Sequence, residues 1–362
     1  MKDKKIILGL SILAVIVFIS IIGTIWYKIG TGAVDNNSSE SKIIEIEEGT
    51  RTEGILDLLV ENKLIKNKFV AGIFIKLHGV NGLQAGKYQL KSNMKLEEIL
   101  NKISSGDVYN ETVKITFKEG KNMRWIANVI AENTKNTEED VFNLLKDEEY
   151  INSLIEKYWF LTEDIKNENI YYPLEGYLYP DTYIFENEDV SVKTIFNIIL
   201  NNSDKVFSKY KSQVESRGMS MHQVLTIASI VELEGNDEEA RKGISSVIYN
   251  RLRANMSLGS DVTTYYSIQV DMGERNLYLS EIRTANPYNT RGPNMNGRIP
   301  IGPISNPSEE SIEATLNPSE SNYLYFVADS NGKIYFTNTY EEHQKLIQEL
   351  QKQGLWYEYE EN

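Results

Sequence analysis

The side chain with the clearest case for chemistry is Glu232. It lies near the end of the run Met221 to Gly235, MHQVLTIASIVELEG, where Val224, Leu225, Ile227, Ala228, Ile230 and Val231 leave almost no polar face. That run predicts a helix buried on most sides and ended by Gly235. A carboxyl at the mouth of an apolar helix is partly removed from water, which disfavours its ionised form and suits it to donate a proton as a general acid. The competing reading is a helix-end glutamate that is solvated or paired with Arg241 or Arg251. Glu234 stands two positions further, about 200° away at roughly 100° per residue, so it cannot share a substrate face with Glu232.

Other polar clusters follow. Asn236 or Asp237 can cap a next helix with Ile244, Val247, Ile248 and Leu252 as its apolar stripe, and the turn between the helices would bring Asn250 and Arg251 back toward the first. Ser260-Asp261-Val262-Thr263 supplies a second carboxylate. Asn286-Pro287-Tyr288-Asn289-Thr290 supplies amide and hydroxyl groups in a proline-marked loop, and Gly297 to Pro307 is a stiff loop with three prolines. Taken singly, each is more often a turn than a site. Together they place hydrogen-bonding groups suited to sugars after a buried helix.

The elements that must position these residues sit in a chain of 362 residues with 38 Lys+Arg against 52 Asp+Glu, a net charge of −14. Nucleic acid is disfavoured as a partner, because phosphate binding needs clustered cations. With no cysteine, and with His78, His222 and His343 far apart, no thiolate or histidine metal centre is expected, and no cofactor. Ile6 to Trp26 is an uncharged run of 21 residues, long enough to cross a bilayer as a helix and too long for the apolar stretch of a cleaved signal peptide. Lys2, Lys4 and Lys5 precede it, so residues 1–5 are expected in the cytoplasm and everything after Tyr27 outside. Residues 27–41, rich in Gly, Ser and Asn, read as a flexible linker.

A repeat marks the first half. Ile44-Glu-Ile46-Glu-Glu48-Gly49 followed by Ile55 to Asn62 recurs 71 residues later as Ile115-Thr-Phe117-Lys-Glu119-Gly120 followed by Ile126 to Asn133. Each copy predicts an alternating strand, a glycine turn and an amphipathic helix. A strand at 85–90 and a helix at 96–103 complete a small β-α-α-β module, which could be a spacer or a polysaccharide-binding unit. Tyr88 and Trp125 could stack on sugar rings or fill the core. Leu324, Phe326, Ile334 and Phe336 alternate as strands, and Tyr340 to Trp356 predicts an amphipathic helix that docks on the core or recruits a partner. The expected fold class is α+β.

Several motifs in order resemble the YceG-like family of endolytic murein transglycosylases. They are Leu174-Glu175-Gly176-Tyr177-Leu178-Tyr179-Pro180-Asp181-Thr182-Tyr183, then Ala228 to Glu234, Tyr249-Asn250-Arg251-Leu252 and Ser260-Asp261-Val262-Thr263. Pro287-Tyr288-Asn289-Thr290, Pro300 to Pro307, Tyr323 to Ala328 and Glu342-His343 follow. The likeness covers nearly the whole chain. Val262, Arg291, Ile301 and Lys333-Ile334-Tyr335 depart from the residues usual in the family.

The resemblance implies a single membrane anchor at 6–26, a LysM-like module at 42–108 and a catalytic domain at 109–362. It further implies cleavage of the β-1,4 bond between N-acetylmuramic acid and N-acetylglucosamine in nascent glycan strands, leaving 1,6-anhydro ends. The family's catalytic glutamate falls on Glu232, acting as acid and then as base. Asp261, Thr263, Tyr288, Asn289, Thr290, Asn250, Arg251 and Glu175 are the expected substrate contacts, with Asn289, Thr290 and Thr263 proposed to stabilise developing charge. The expected partners are peptidoglycan glycan strands, the plasma membrane and peptidoglycan synthases. Two rival readings stay open: a glycan-binding scaffold without catalysis, and a hydrolase that pairs Glu232 with Asp261 or Glu175.

Overall fold

In the computed structural model, which describes residues 2–109 and 112–356, the chain divides into two compact units, Met1–Glu111 and Thr112–Asn362. Met1 of the expected cytoplasmic segment, two residues beside the expected domain boundary and the last six residues of the expected catalytic domain lie outside the described residues. Both units mix helices with two-stranded antiparallel sheets, so the fold is α+β.

The first unit opens with α1 (Lys2–Thr31), whose stretch Gly9–Thr31 is long and apolar enough to cross a membrane. Then come β1 (Ser41–Ile46), α2 (Thr52–Glu61), α3 (Lys68–His78), β2 (Gly86–Lys91) and α4 (Leu96–Ser104). β1 and β2 pair antiparallel with Ile44 opposite Tyr88, and their inward faces join Ile55, Leu59, Leu100 and Ile103 in one core. Tyr88 is fully buried there, which settles it as core.

The first part of the expected linker, residues 27–35, is held against the first unit. Helix α1 runs on to Thr31, Trp26 packs on Phe69 with ring centroids 6.1 Å apart, and the Lys66 ammonium donates to Ile29 O at 3.2 Å. Ala33 is buried and Asp35 N–H donates to Ser92 O. One of the glycines that suggested flexibility, Gly30, serves close packing instead: a Cβ there would lie 2.8 Å from Val70 Cγ2.

The second unit holds β3 (Val113–Thr116), α5 (Met123–Asn133), α6 (Glu138–Leu145), α7 (Glu148–Lys157), β4 (Thr182–Phe185), α8 (Val192–Phe207) and α9 (Lys211–Ser216). It continues with α10 (Met221–Glu234), α11 (Glu238–Arg253), α12 (Asp261–Ser267), α13 (Leu279–Ile282), α14 (Glu309–Leu316), β5 (Tyr325–Ala328), β6 (Ile334–Thr337) and α15 (Tyr340–Lys352). β3 pairs with β4, and β5 with β6.

Helix α10 stops at Gly235, as its sequence predicts, and starts with a capping box at Ser220 and Gln223. Its apolar residues divide between two cores. Met221, Val224, Leu225 and Ala228 join the core shared by α5 to α8, whereas Ile227, Ile230 and Val231 join Ile244, Ile248, Val262 and Tyr288. This double burial explains the missing polar face. Asp237 caps α11 by accepting from Ala240 N–H. The terminal helix α15 packs on β5 and β6 and buries Leu350.

Candidate active site

At the C-terminal end of α10, Glu232 meets the N-terminus of α14. Its Oε2 accepts from Ser308 N–H at 2.9 Å, from the Ser308 hydroxyl, and from the Ser311 hydroxyl at 2.7 Å. A helix N-terminus offers unpaired N–H groups and the positive end of the dipole to such a carboxylate. The other oxygen, Oε1, takes none of these donors and lies 3.8 Å from Arg241 Nη2. The side chain is only 7% exposed, so Glu232 stands at the edge of the core, as the apolar helix predicts.

Gly120 closes in from the other side. It adopts φ +69°, and a Cβ there would sit 3.5 Å from Glu232 Cγ and 3.4 Å from Leu233 Cδ2. Beside it opens a cleft of about 260 Å³ lined by residues 120–122 and 124–125, by Leu233 and Ile304, by Val262, Tyr265 and Tyr266 of α12, and by residues 270–272. Trp125 is half-buried in this wall, with the Lys121 ammonium 5.9 Å from its ring centroid. Across the cleft, Asp271 pairs with Arg124 and accepts from Asn122 Nδ2 at 3.0 Å. A half-open aromatic wall with charged and amide groups around it suits a sugar ring, which needs an apolar face and hydrogen-bonding edges.

Glu119 is a second carboxyl near Glu232. Desolvation raises its pKa, and the charges of Glu232 and Glu310 raise it further while Arg241 opposes them.

Most of the expected substrate contacts are spent within the protein. Thr263 and Thr290 are fully buried and pair their hydroxyls at 2.7 Å, while Ser260 N–H donates to Thr290 Oγ1 at 3.0 Å. Asn289 is equally buried. Its Oδ1 accepts from the Thr264 hydroxyl at 2.8 Å and its Nδ2 donates to Thr284 O at 2.8 Å. These groups lock the 284–292 loop onto α12, and with no exposed surface they cannot serve as dipoles facing a developing charge. Tyr288 is buried in a ring cluster with Tyr171 and Tyr266.

Asn250 and Arg251 turn away from α10. Asn250 Nδ2 donates to Tyr323 O at 2.8 Å, and Arg251 donates to Leu324 O and Leu258 O, each at 2.6 Å, bracing the entry to β5. Asp261 pairs with Arg291, a residue that departs from the family pattern, and its charge adds to the desolvation that raises the pKa of nearby Glu234. Glu234 itself accepts from the Ser260 hydroxyl at 2.6 Å. Glu232 and Glu234 thus have separate surroundings, as their helical offset requires.

Glu175 is 1% exposed and accepts from Met123 N–H at 2.9 Å and Tyr266 OH at 3.0 Å on Oε2, and from Asn306 Nδ2 at 3.3 Å on Oε1. Burial pushes its carboxyl up to about 7 against these donors. His222 is also structural. Its Nε2 donates to Ile301 O at 2.7 Å, since a carbonyl can only accept, and Nδ1 meets Tyr177 OH at 2.7 Å.

The family model described as the YceG-like family matches residues 44–349. The chain belongs to that family. An endolytic murein transglycosylase of Bacillus subtilis strain 168 is 36% identical over 313 residues, covering 86% of this chain and 85% of the relative. A Streptococcus pneumoniae D39 protein of the same name is 32% identical over 333 residues, covering 87% of this chain and 59% of that longer relative. The crystal structure of a yceG-like protein from Listeria monocytogenes superposes with a TM-score of 0.61 at 35% identity, covering 85% of this chain and all of that one.

Within this YceG-like site, reading the residues alone missed the anchor of Glu232. Ser308 and Ser311 lie 76 and 79 positions downstream, and only their place at a helix start, Ser308 followed by Glu309-Glu310, hinted at a cap. Glu119 was visible as part of the repeat, but nothing local tied it to Glu232.

Proposed function

We propose that this chain is a membrane-anchored endolytic murein transglycosylase with Glu232 as both acid and base. The observation that carries the proposal is the asymmetric hold on Glu232. Oε2 is fixed by three donors, which leaves Oε1 beside the cleft wall at Gly120 to carry and receive the proton. The reaction balances without water. The Glu232 proton passes to the glycosidic oxygen as the bond from muramoyl C1 breaks, giving an oxocarbenium-like centre. The C6 hydroxyl then attacks C1, and its proton returns to Glu232 as the 1,6-anhydro ring closes. The cleft with Trp125, Tyr265 and Tyr266 takes the glycan on this reading.

Lys2, Lys4 and Lys5, ahead of the apolar stretch of α1, favour a cytoplasmic N-terminus and an outside catalytic unit. The order β1, α2, α3, β2 supports a LysM-like module at 42–108, and the core position of Tyr88 removes it as a sugar platform. Peptidoglycan synthases as partners rest on the family resemblance.

The test is mass spectrometry of products after incubating the full chain and Glu232→Gln with uncrosslinked glycan strands. New 1,6-anhydro ends from the wild type alone are expected. Reducing ends would instead favour hydrolysis, with Glu119 activating water. Glycan binding without cleavage would favour the scaffold reading.

A further inference from the structure

We propose that Glu175 is a positioning residue for this reaction, a buried carboxylate that fastens together the three segments framing Glu232 and its cleft. The inference rests on the reading of Glu232 as acid and base.

Beside the adjoining Gly176 N–H, three donors to Glu175 come from three different walls. Met123 N–H opens α5, directly after the strip of residues 120–122 that lines the cleft. Tyr266 belongs to α12 and also lines the cleft. Asn306 lies on the loop that runs to Ser308, the residue holding Glu232 Oε2. Asn306 fixes the first wall as well, since Gly120 N–H donates to its carbonyl and its own N–H donates to Lys121 O, both at 2.9 Å. Glu175 is carried into this junction by Gly176, which adopts φ +84° and approaches Pro303 so closely that a Cβ would lie 2.3 Å from Pro303 Cβ.

The junction calls for an ionised carboxylate. Donors face both oxygens of Glu175. Asn306 cannot reverse its amide, because its Oδ1 already accepts from Leu178 N–H at 2.9 Å. A glutamine at 175 must therefore turn its NH₂ toward a donor in either orientation, and a protonated carboxyl loses one acceptor. Burial opposes ionisation and brings the group to about 7.

The titratable or charged groups facing Glu175 are Tyr266 from α12, Arg124 from α5, and Tyr172 and Tyr288 from neighbouring loops. All three tyrosines are raised by burial, away from neutrality. Glu175 is then the member of this group that changes charge near neutral pH, and its ionised form is the one that accepts from all the donors of the junction at once.

The test measures anhydro-end formation by the full chain in detergent from about pH 5.5 to 8.5 for wild type, Glu175→Gln and Tyr266→Phe, with urea midpoints recorded alongside. In the wild type kcat is expected to rise through a limb centred near 7. Folded Glu175→Gln should lose that limb and roughly 10- to 100-fold of kcat at the upper end, with little change in KM. Tyr266→Phe removes a donor that favours the ionised carboxylate, so its limb should move to higher pH.

A limb that persists in folded Glu175→Gln, or that stays in place in Tyr266→Phe, overturns the proposal. The Tyr266→Phe result decides if Glu175→Gln does not fold. A wild type that forms no anhydro ends rejects the proposed function itself, and the positioning role falls with it.

Discussion

Ser308 and Ser311 occupy one oxygen of Glu232, so substitutions at these positions separate the proton from its support. Glu232→Gln keeps an amide oxygen for Ser308 N–H; its urea midpoint should stay near that of the wild type while anhydro-end formation falls by about 10²- to 10⁴-fold. Ser308→Ala removes the cap of α14, which accepts from Ser311 N–H, together with one anchor of Glu232. It should cost ~1 kcal/mol in urea denaturation and lower kcat less severely than Glu232→Gln does. The position of Glu232 was legible because an apolar run that stops at a carboxylate is a local signal. Thr263, Asn289 and Thr290 were misread because a hydroxyl or amide in a proline-marked loop looks alike whether it faces a sugar or satisfies its own backbone. Burial, which the chain sets only after folding, decides between them.

At the scale of elements, α10 and its stop at Gly235 could be read directly, as could the strand and helix of each repeat copy and the hairpin near the end of the chain. Their local patterns and their tertiary surroundings agree. Helix α3 was not singled out: KFVAGIFIKLH is apolar almost throughout, which blurs its period. The close approach of Gly176 to Pro303 was invisible for a different reason, since the two lie far apart in sequence. Gly176→Ala should destabilise the second unit by more than ~1 kcal/mol, from the positive φ and the contact together. Chemical denaturation would measure this, and a midpoint equal to that of the wild type would mean that the loop yields freely.

For the whole molecule, the raised carboxyl of Glu175 makes stability depend on pH. Below about 4.5 both folded and unfolded chains hold its proton. Between that value and about 7 only the folded chain does, so this group's contribution falls as pH rises and is lost above about 7. The span corresponds to an order of 3 kcal/mol. Urea denaturation at pH 5.5 and 8 should therefore show Glu175→Gln gaining on the wild type at the higher pH, and a constant difference would count against it. Finally, α1 passes without a break from its apolar span into its seat on α3, where Gly30 meets Val70 and Trp26 meets Phe69. If the apolar stretch ahead of that seat lies in a bilayer, as proposed, a span too long for the local hydrocarbon thickness accommodates by tilting. The first unit shares that helix's last turns and must lean with it, so bilayer thickness becomes a lever on the tilt of the whole first unit.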